Sequence, residues 1–180
     1  MRSGLLLRFF VMYIYKPKEG GMIFVSFINP THHTEFEPEY HKEKPVKKNE
    51  LIMGVAGLEH GHIYAMCHGM KEAGATIRWV FDEDHKKIKA FQKVFPEAKK
   101  ANSLSQILKD KALHLVSSAA IPSERCAIGL KVLDSGKHFF SAKAPFTTIE
   151  QLRQAETKVK ETGLHWAVFY SERLQVECAN

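Results

Sequence analysis

From Leu51 onward the chain alternates between two rhythms of hydrophobic and polar positions. Short apolar runs rich in β-branched and aromatic residues read as buried strands: LIMGVA (51–56), TIRWVFD (76–82), LHLVSSA (113–119), KHFFSA (137–142) and LHWAVFYS (164–171). Between them lie helical patterns. HIYAMCHGMKEAG (62–74) puts Ile63, Met66, Cys67 and Met70 on one stripe and stops at Gly74. DEDHKKIKAFQKVF (82–95) runs from acidic to basic, as a helix dipole favours, with Pro96 after it. NSLSQILKD (102–110) predicts a short helix with Asn102 or Ser103 as cap. SERCAIGLKVLDSG (123–136) predicts a helix capped by Ser123 and closed by Gly136. TTIEQLRQAETKVKETG (147–163) predicts a long one with Thr147 and Glu150 in capping-box relation.

Strands alternating with helices, joined by short loops, mean parallel β-α units with right-handed crossovers. The expected fold is therefore α/β, a doubly wound parallel sheet of the Rossmann-like, three-layer α/β/α kind, over residues 51–174. Residues 1–50 follow neither rhythm. LLLRFFVMYIY (5–15) is interrupted by Arg8 and is shorter than the roughly 20 apolar residues of a membrane span. MIFVSFINP (22–30) reads as a lone strand, and the charged, proline-bearing stretch 30–50 as a linker. The whole of 1–50 is expected to be a poorly ordered extension.

The first strand-to-helix turn carries the candidate chemistry. Such a turn aims backbone N–H groups and the positive end of a helix at an anion. In the G-x-G-x-x-G dinucleotide fingerprint the three glycine positions here read Gly57, Glu59 and His62, with a further glycine at Gly61. Gly57 suits the tight turn, while Glu59 brings bulk and negative charge to the position where glycine lets a pyrophosphate approach. Gly61 is the alternative point of close approach, and His60 and His62 are either donors to ligand oxygens or exposed loop histidines. The cofactor-binding candidates in this loop are thus Gly57, Leu58, Glu59, His60, Gly61 and His62. Asp82, at the end of the second strand, sits where an acid accepts from a ribose 2′-hydroxyl and favours NAD over NADP, and it also fits a helix N-cap. Lys86 and Lys87 are expected to be solvated.

Composition narrows the function. The formal charge of +6 is dispersed: residues 1–50 hold 8 Lys/Arg and 6 Asp/Glu, the remainder 18 and 14, and no basic cluster interleaved with aromatics suggests a nucleic-acid surface. Neither a nucleic acid nor a membrane is expected as partner. Cys67, Cys126 and Cys178 form no C-x-x-C pair, which fits reduced thiols and a cytoplasmic location, and no ligand spacing points to a metal.

The stretch AAIPSERCAIGLKVLDSGKHFFSAKAPFTTIEQLRQAE (119–156) resembles the Gfo/Idh/MocA oxidoreductases. Ala120-Ile121-Pro122 matches the family's small-residue, threonine and proline turn, Ser135-Gly136-Lys137-His138 its glycine-lysine-histidine lead-in, and Lys143 with Pro145 its glutamate-lysine-proline box. FYSERL (169–174) is similar to its exit from the cofactor domain. The resemblance implies binding of NAD, or of NADP. It places Ala120, Pro122 and Lys143 at the nicotinamide as cofactor-binding residues and makes Lys143 also the catalytic residue that orients or polarises the reacting hydroxyl or carbonyl. Ala142 stands where the family has its acid, Ala144 separates Lys143 from the proline, and Cys126 stands where the family has a histidine. The resemblance also implies a substrate domain beyond this chain, with residues 175–180 as its start.

Two functions are expected in competition. One is the NAD(P)-binding domain of an oxidoreductase acting by hydride transfer on a sugar, cyclitol or related small molecule, incomplete for catalysis alone. The other is a non-catalytic nucleotide-sensing or protein-interaction module. In both, the apolar face that would meet a second domain predicts a homo-oligomer or a partner protein. An S-adenosylmethionine enzyme shares the glycine turn and the acid, but the lysine box argues against it.

Overall fold

The structure, a computed structural model, describes residues 46–170 apart from Lys48, together with the backbone of Val11–Tyr15 and Phe24–Ile28. In chain order the elements are β1 (Val11–Tyr15), β2 (Phe24–Ile28), β3 (Ile52–Ala56), α1 (His62–Glu72), β4 (Thr76–Phe81), α2 (His85–Val94) and β5 (Lys99–Lys100). Then follow α3 (Leu104–Lys109), β6 (Leu115–Ser118), α4 (Pro122–Asp134), β7 (His138–Ala142), α5 (Ile149–Thr162) and β8 (Trp166–Phe169). Strands β3 to β8 form a six-stranded sheet in the order β5-β4-β3-β6-β7-β8, every pair parallel. Counted from β3, that is the order 3-2-1-4-5-6 of the dinucleotide-binding fold, whose direction of winding reverses between its first and fourth strands. The expected doubly wound α/β sheet is present, with its switch point between β3 and β6.

Each face of the sheet has its own core. On one side Ile63, Met66 and Met70 of α1 and Ile88 and Phe91 of α2 pack over Met53, Val55, Ile77 and Val80. On the other, Ile107 of α3 and Val132 and Leu133 of α4 pack over Ile52, Val116 and Phe139. Burying such side chains contributes roughly 1.5–3 kcal/mol each. Close packing explains Gly129: a Cβ there would overlap the Trp166 and Phe139 rings beneath α4.

Several local expectations are corrected by the structure. β2 is not a lone strand, because it pairs antiparallel with β1. Most of the remaining extension lies outside the described residues, as do 171–180 and Cys178. Ser123 does not cap α4: the helix starts one residue earlier with Pro122 in its first turn, where a missing N–H costs nothing. The capping box of α5 is shifted by one residue. Thr148, not Thr147, accepts from the Gln151 N–H (3.2 Å), and the Gln151 side chain reaches back to the Thr147 N–H (2.7 Å). Ser103 rather than Asn102 caps α3, accepting from the Gln106 N–H. The cap of α2 is Asp84, which accepts from the Lys86 N–H, so the helix begins after Asp82. The two-residue β5 carried no apolar pattern and went unpredicted.

Candidate functional site

The carboxyl ends of β3, β4 and β6 meet at Gly57. Its φ of +85° bends the chain out of β3. A Cβ at this position would lie 2.7 Å from Ala120 Cβ and 3.0 Å from Ala120 Cα, so only glycine lets the β6–α4 loop cross here. The turn is then laced on both sides. The Gly57 N–H donates to the Phe81 carbonyl (2.9 Å), the Ala119 N–H to the Gly57 carbonyl (3.0 Å), and the His60 N–H to the Ala119 carbonyl (3.0 Å).

Asp82 completes the lacing. One carboxylate oxygen accepts the Leu58 N–H at 2.6 Å and the other accepts the Asp84 N–H at 2.8 Å, with the residue only 8% exposed. Its negative charge is thus fixed beside the turn by two backbone dipoles. Each oxygen keeps a further acceptor site facing away from these bonds, as a carboxylate has about four. Leu58 itself is buried in the core, so its contribution to the loop is that single N–H.

Most N–H groups of the loop are therefore committed to protein acceptors. The His62 N–H donates to His60 Nδ1 (3.2 Å), Ile63 to the His60 carbonyl and Tyr64 to the Gly61 carbonyl. Among the described residues, only the Glu59 and Gly61 N–H groups between Gly57 and Tyr64 donate to no protein acceptor. Gly61 is the residue before α1, in right-handed helical geometry, and a Cβ built on it meets nothing within 4 Å. Two open donors, a helix N-terminus and open space in front of it suit an anionic group such as a pyrophosphate. The His60 ring lies 4.1 Å from that of His62, which in turn lies 5.4 Å from Phe169 at the end of β8.

Glu59 is not left facing this donor pair alone. Lys87, from the first turn of α2, forms an ion pair with its carboxylate. The hydrogen bond to Glu59 pushes the Lys87 ammonium above the usual lysine range, with the nearby charges of Asp82, Glu59 and Asp84 acting in the same direction. Lys87 was expected to be solvated, and the pairing partner lies 28 positions away, where no local spacing rule could reveal it.

The lysine box lies at the end of the neighbouring strand. Ala142 closes β7 fully buried, and Lys143 follows, half-buried, joined to Ala144 by a cis peptide bond. This loop is tied to the β6–α4 loop by a residue absent from the predicted site. Arg125, 1% exposed, donates from Nε to the Ala120 carbonyl (2.6 Å) and from Nη1 to the carbonyls of Ala142 (3.2 Å) and Ala144 (3.0 Å). A signal for it existed in the sequence. Arg125, Cys126, Gly129, Val132 and Leu133 are the buried stripe of α4, and a charge on such a stripe needs an explanation. Cys126 is a buried free thiol whose Sγ lies 3.5 Å from the Gln151 carbonyl, and desolvation raises its pKa.

The lead-in motif has a different purpose. Gly136 turns the chain at φ +78°, and the buried Lys137 donates to the carbonyls of Leu108 (2.7 Å) and Ser135 (3.2 Å), capping the end of α3. Among the described residues no group of side chains is arranged to hold a metal, and no helix is long and apolar enough to cross a membrane.

Fold and loop together define a Rossmann-type nucleotide-binding domain, and the comparisons agree. A protein from Erwinia carotovora atroseptica SCRI1043, provisionally assigned as an oxidoreductase, is 40% identical over 68% of this chain, with a TM-score of 0.67. The myo-inositol dehydrogenase of Lactobacillus casei, solved with NAD(H) and myo-inositol, is 24% identical over 70%, with a TM-score of 0.63. An NAD-binding protein from Listeria innocua is 20% identical over 68%, with a TM-score of 0.62. No family model and no curated protein matches. The chain is similar to these oxidoreductases over the portion that carries the nucleotide-binding fold. It spans 37%, 38% and 36% of the lengths of those three structures, respectively.

Proposed function

We propose that residues 51–170 bind NAD(H) as the cofactor half of an oxidoreductase that moves a hydride to or from a small hydroxyl- or carbonyl-bearing molecule, a sugar or cyclitol by kinship. The observation that carries this reading is the pair of open N–H donors at Glu59 and Gly61, on a turn already fastened to Asp82 and Ala119. The loop needs no rearrangement to receive a pyrophosphate, and preorganised donors of this kind bind without a reorganisation cost. When bound, the nicotinamide supplies the hydride chemistry. The protein's own residues position it: Gly61 admits the phosphates, Asp82 accepts from the ribose, and Ala120 with Pro122 shapes the nicotinamide end. Lys143 orients the reacting oxygen of the substrate.

Asp82 and the Glu59–Lys87 pair favour NAD over NADP, since a 2′-phosphate would meet two carboxylates and a lysine already engaged. The substrate pocket comes from a further domain or a partner subunit, and the exposed Ile121 and Ile149 offer that contact apolar surface. The free, buried thiols of Cys67 and Cys126 suit a cytoplasmic protein. Calorimetric titration of the folded chain with NADH and NADPH tests the proposal. Saturable NADH binding with a Kd of roughly 10–100 μM, tighter than NADPH, is expected. Absence of binding to either would leave the non-catalytic interaction module as the better reading, with Glu59 in the glycine position as its basis.

A further inference from the structure

Arg125 is buried without a bonded counter-charge, as Lys137 is, but its carbonyl partners lie on two different loops. All its recorded bonds go to neutral carbonyls, and no carboxylate accepts from it among the described residues. A guanidinium removed from water in this way is costly, and desolvation pulls its pKa down. The three carbonyls it holds are not scattered. One belongs to Ala120, on the loop that crosses Gly57, and two belong to Ala142 and Ala144, which flank Lys143. These two loops leave adjacent parallel strands, β6 and β7, and beyond the last ladder pair of Ser118 with Ala142's neighbour Ser141 the ladder no longer joins them.

We propose that Arg125 is a positioning residue that locks the Ala120–Pro122 turn to the Lys143 loop, and so sets the nicotinamide end of the site. The planar fork suits this task. Nε and Nη1 donate in fixed, divergent directions, so the distance between the two loops is set by one rigid group. A lysine has the charge but not the geometry. The inference rests on the proposed cofactor reading for its functional half, whereas its structural half concerns the unliganded chain alone.

The test uses Arg125→Lys in the full chain. Hydrogen exchange without cofactor should accelerate about tenfold at the amides of residues 119–121 and 143–144 together, as expected on losing charge-assisted bonds. Val55 and Val116, in the centre of the sheet, should keep their wild-type rates. Titration then separates positioning from general damage. NADH affinity should fall about tenfold, while ADP-ribose, which lacks the nicotinamide, should bind as it does to wild type. Unchanged exchange at either loop, or equal losses for NADH and ADP-ribose, would overturn the proposal. If the wild-type chain binds neither ligand, the cofactor reading fails, and the exchange data still decide whether Arg125 ties the loops. Should the variant not fold, the Arg125 Nε–H resonance of the wild type gives the answer. A proton held on the Ala120 carbonyl exchanges slowly, and exchange as fast as that of a surface arginine would refute the lock.

Discussion

The two ends of the central sheet solve one problem with opposite outcomes. At the amino end, histidine side chains close the backbone. His114 Nδ1 accepts the Ile52 N–H and His138 Nδ1 accepts the His165 N–H, both at 3.1 Å, and the His138 and His165 rings stack 4.9 Å apart. Lys137 is buried there on two carbonyls. At the carboxyl end, Asp82 and Arg125 are buried in the same manner, on backbone groups alone. The difference lies in what remains over. Around Gly57 two donors stay open in front of a helix, whereas the histidine ladder pairs the N–H groups it faces. A buried charge bonded to backbone is therefore not itself a mark of function. Lys137 and Arg125 look alike by burial, but only Arg125 joins two loops at the end of the sheet where ligands bind.

The sharpest way to break this contrast is at Gly57. Alanine there meets both a left-handed backbone and the Ala120 backbone. Gly57→Ala is expected to lower the unfolding free energy by more than about 2 kcal/mol and to abolish NADH binding. Denaturant melts and titration measure the two effects, and a stable, NADH-binding variant would show that the turn is not fixed by its glycine. Asp82→Ala ranks next. It strands the Leu58 and Asp84 N–H groups, and the expected loss is about 2 kcal/mol with NADH affinity reduced severalfold. A full loss of stability with unchanged affinity would make Asp82 a fastener and nothing more.

Legibility in the sequence followed the range of the interaction. The strand and helix patterns, the glycine turn and the acid after the second strand are local or periodic, so the fold and the loop could be read directly. Caps were misplaced by one or two residues, at Ser123, Thr147 and Asp82, because neighbouring residues offer the same chemistry and packing chooses between them. Pairings across the sheet were hidden: Glu59 with Lys87, and Arg125 with the loops of β6 and β7. The lead-in motif was legible as a resemblance, but its purpose was not. Only the structure separates Lys137, which caps a helix, from Lys143 in the loop held by Arg125.

The amino end makes its own prediction. Desolvation, then the neighbouring His165 and His114, hold the His138 imidazole below the usual histidine range. Its folded-state pKa is depressed, so the unfolded chain binds a proton more readily. The contribution is complete above about pH 6.5 and is lost as the pH falls toward the folded value. Protonation would also remove the acceptor for the His165 N–H. Unfolding free energy measured from pH 7.5 to 5 should decline in the wild type and decline less steeply in His138→Gln. Equal slopes would remove His138 from the account. Over the same range the carboxyl end, held by Asp82 and Arg125, should keep its hydrogen-exchange protection longer than the histidine end.

The smallest expected change in stability is also the most informative about function. Gly61 needs no glycine for its backbone, which is right-handed, nor for packing, since a Cβ would meet nothing. Reduced entropy of the unfolded chain and the weaker capping preference of alanine roughly offset each other, so Gly61→Ala should stay within about 0.5 kcal/mol of wild type. If the space before α1 receives a pyrophosphate, the added methyl group stands in it and NADH affinity should fall about tenfold or more. ADP-ribose carries the same pyrophosphate and should fall with it, unlike its behaviour with Arg125→Lys. A variant that melts and binds like wild type would place the phosphates elsewhere, and the open donors at Glu59 and Gly61 would then be ordinary solvated ones. Loss of both ligands from a fully stable protein has no structural explanation other than occupation of that space.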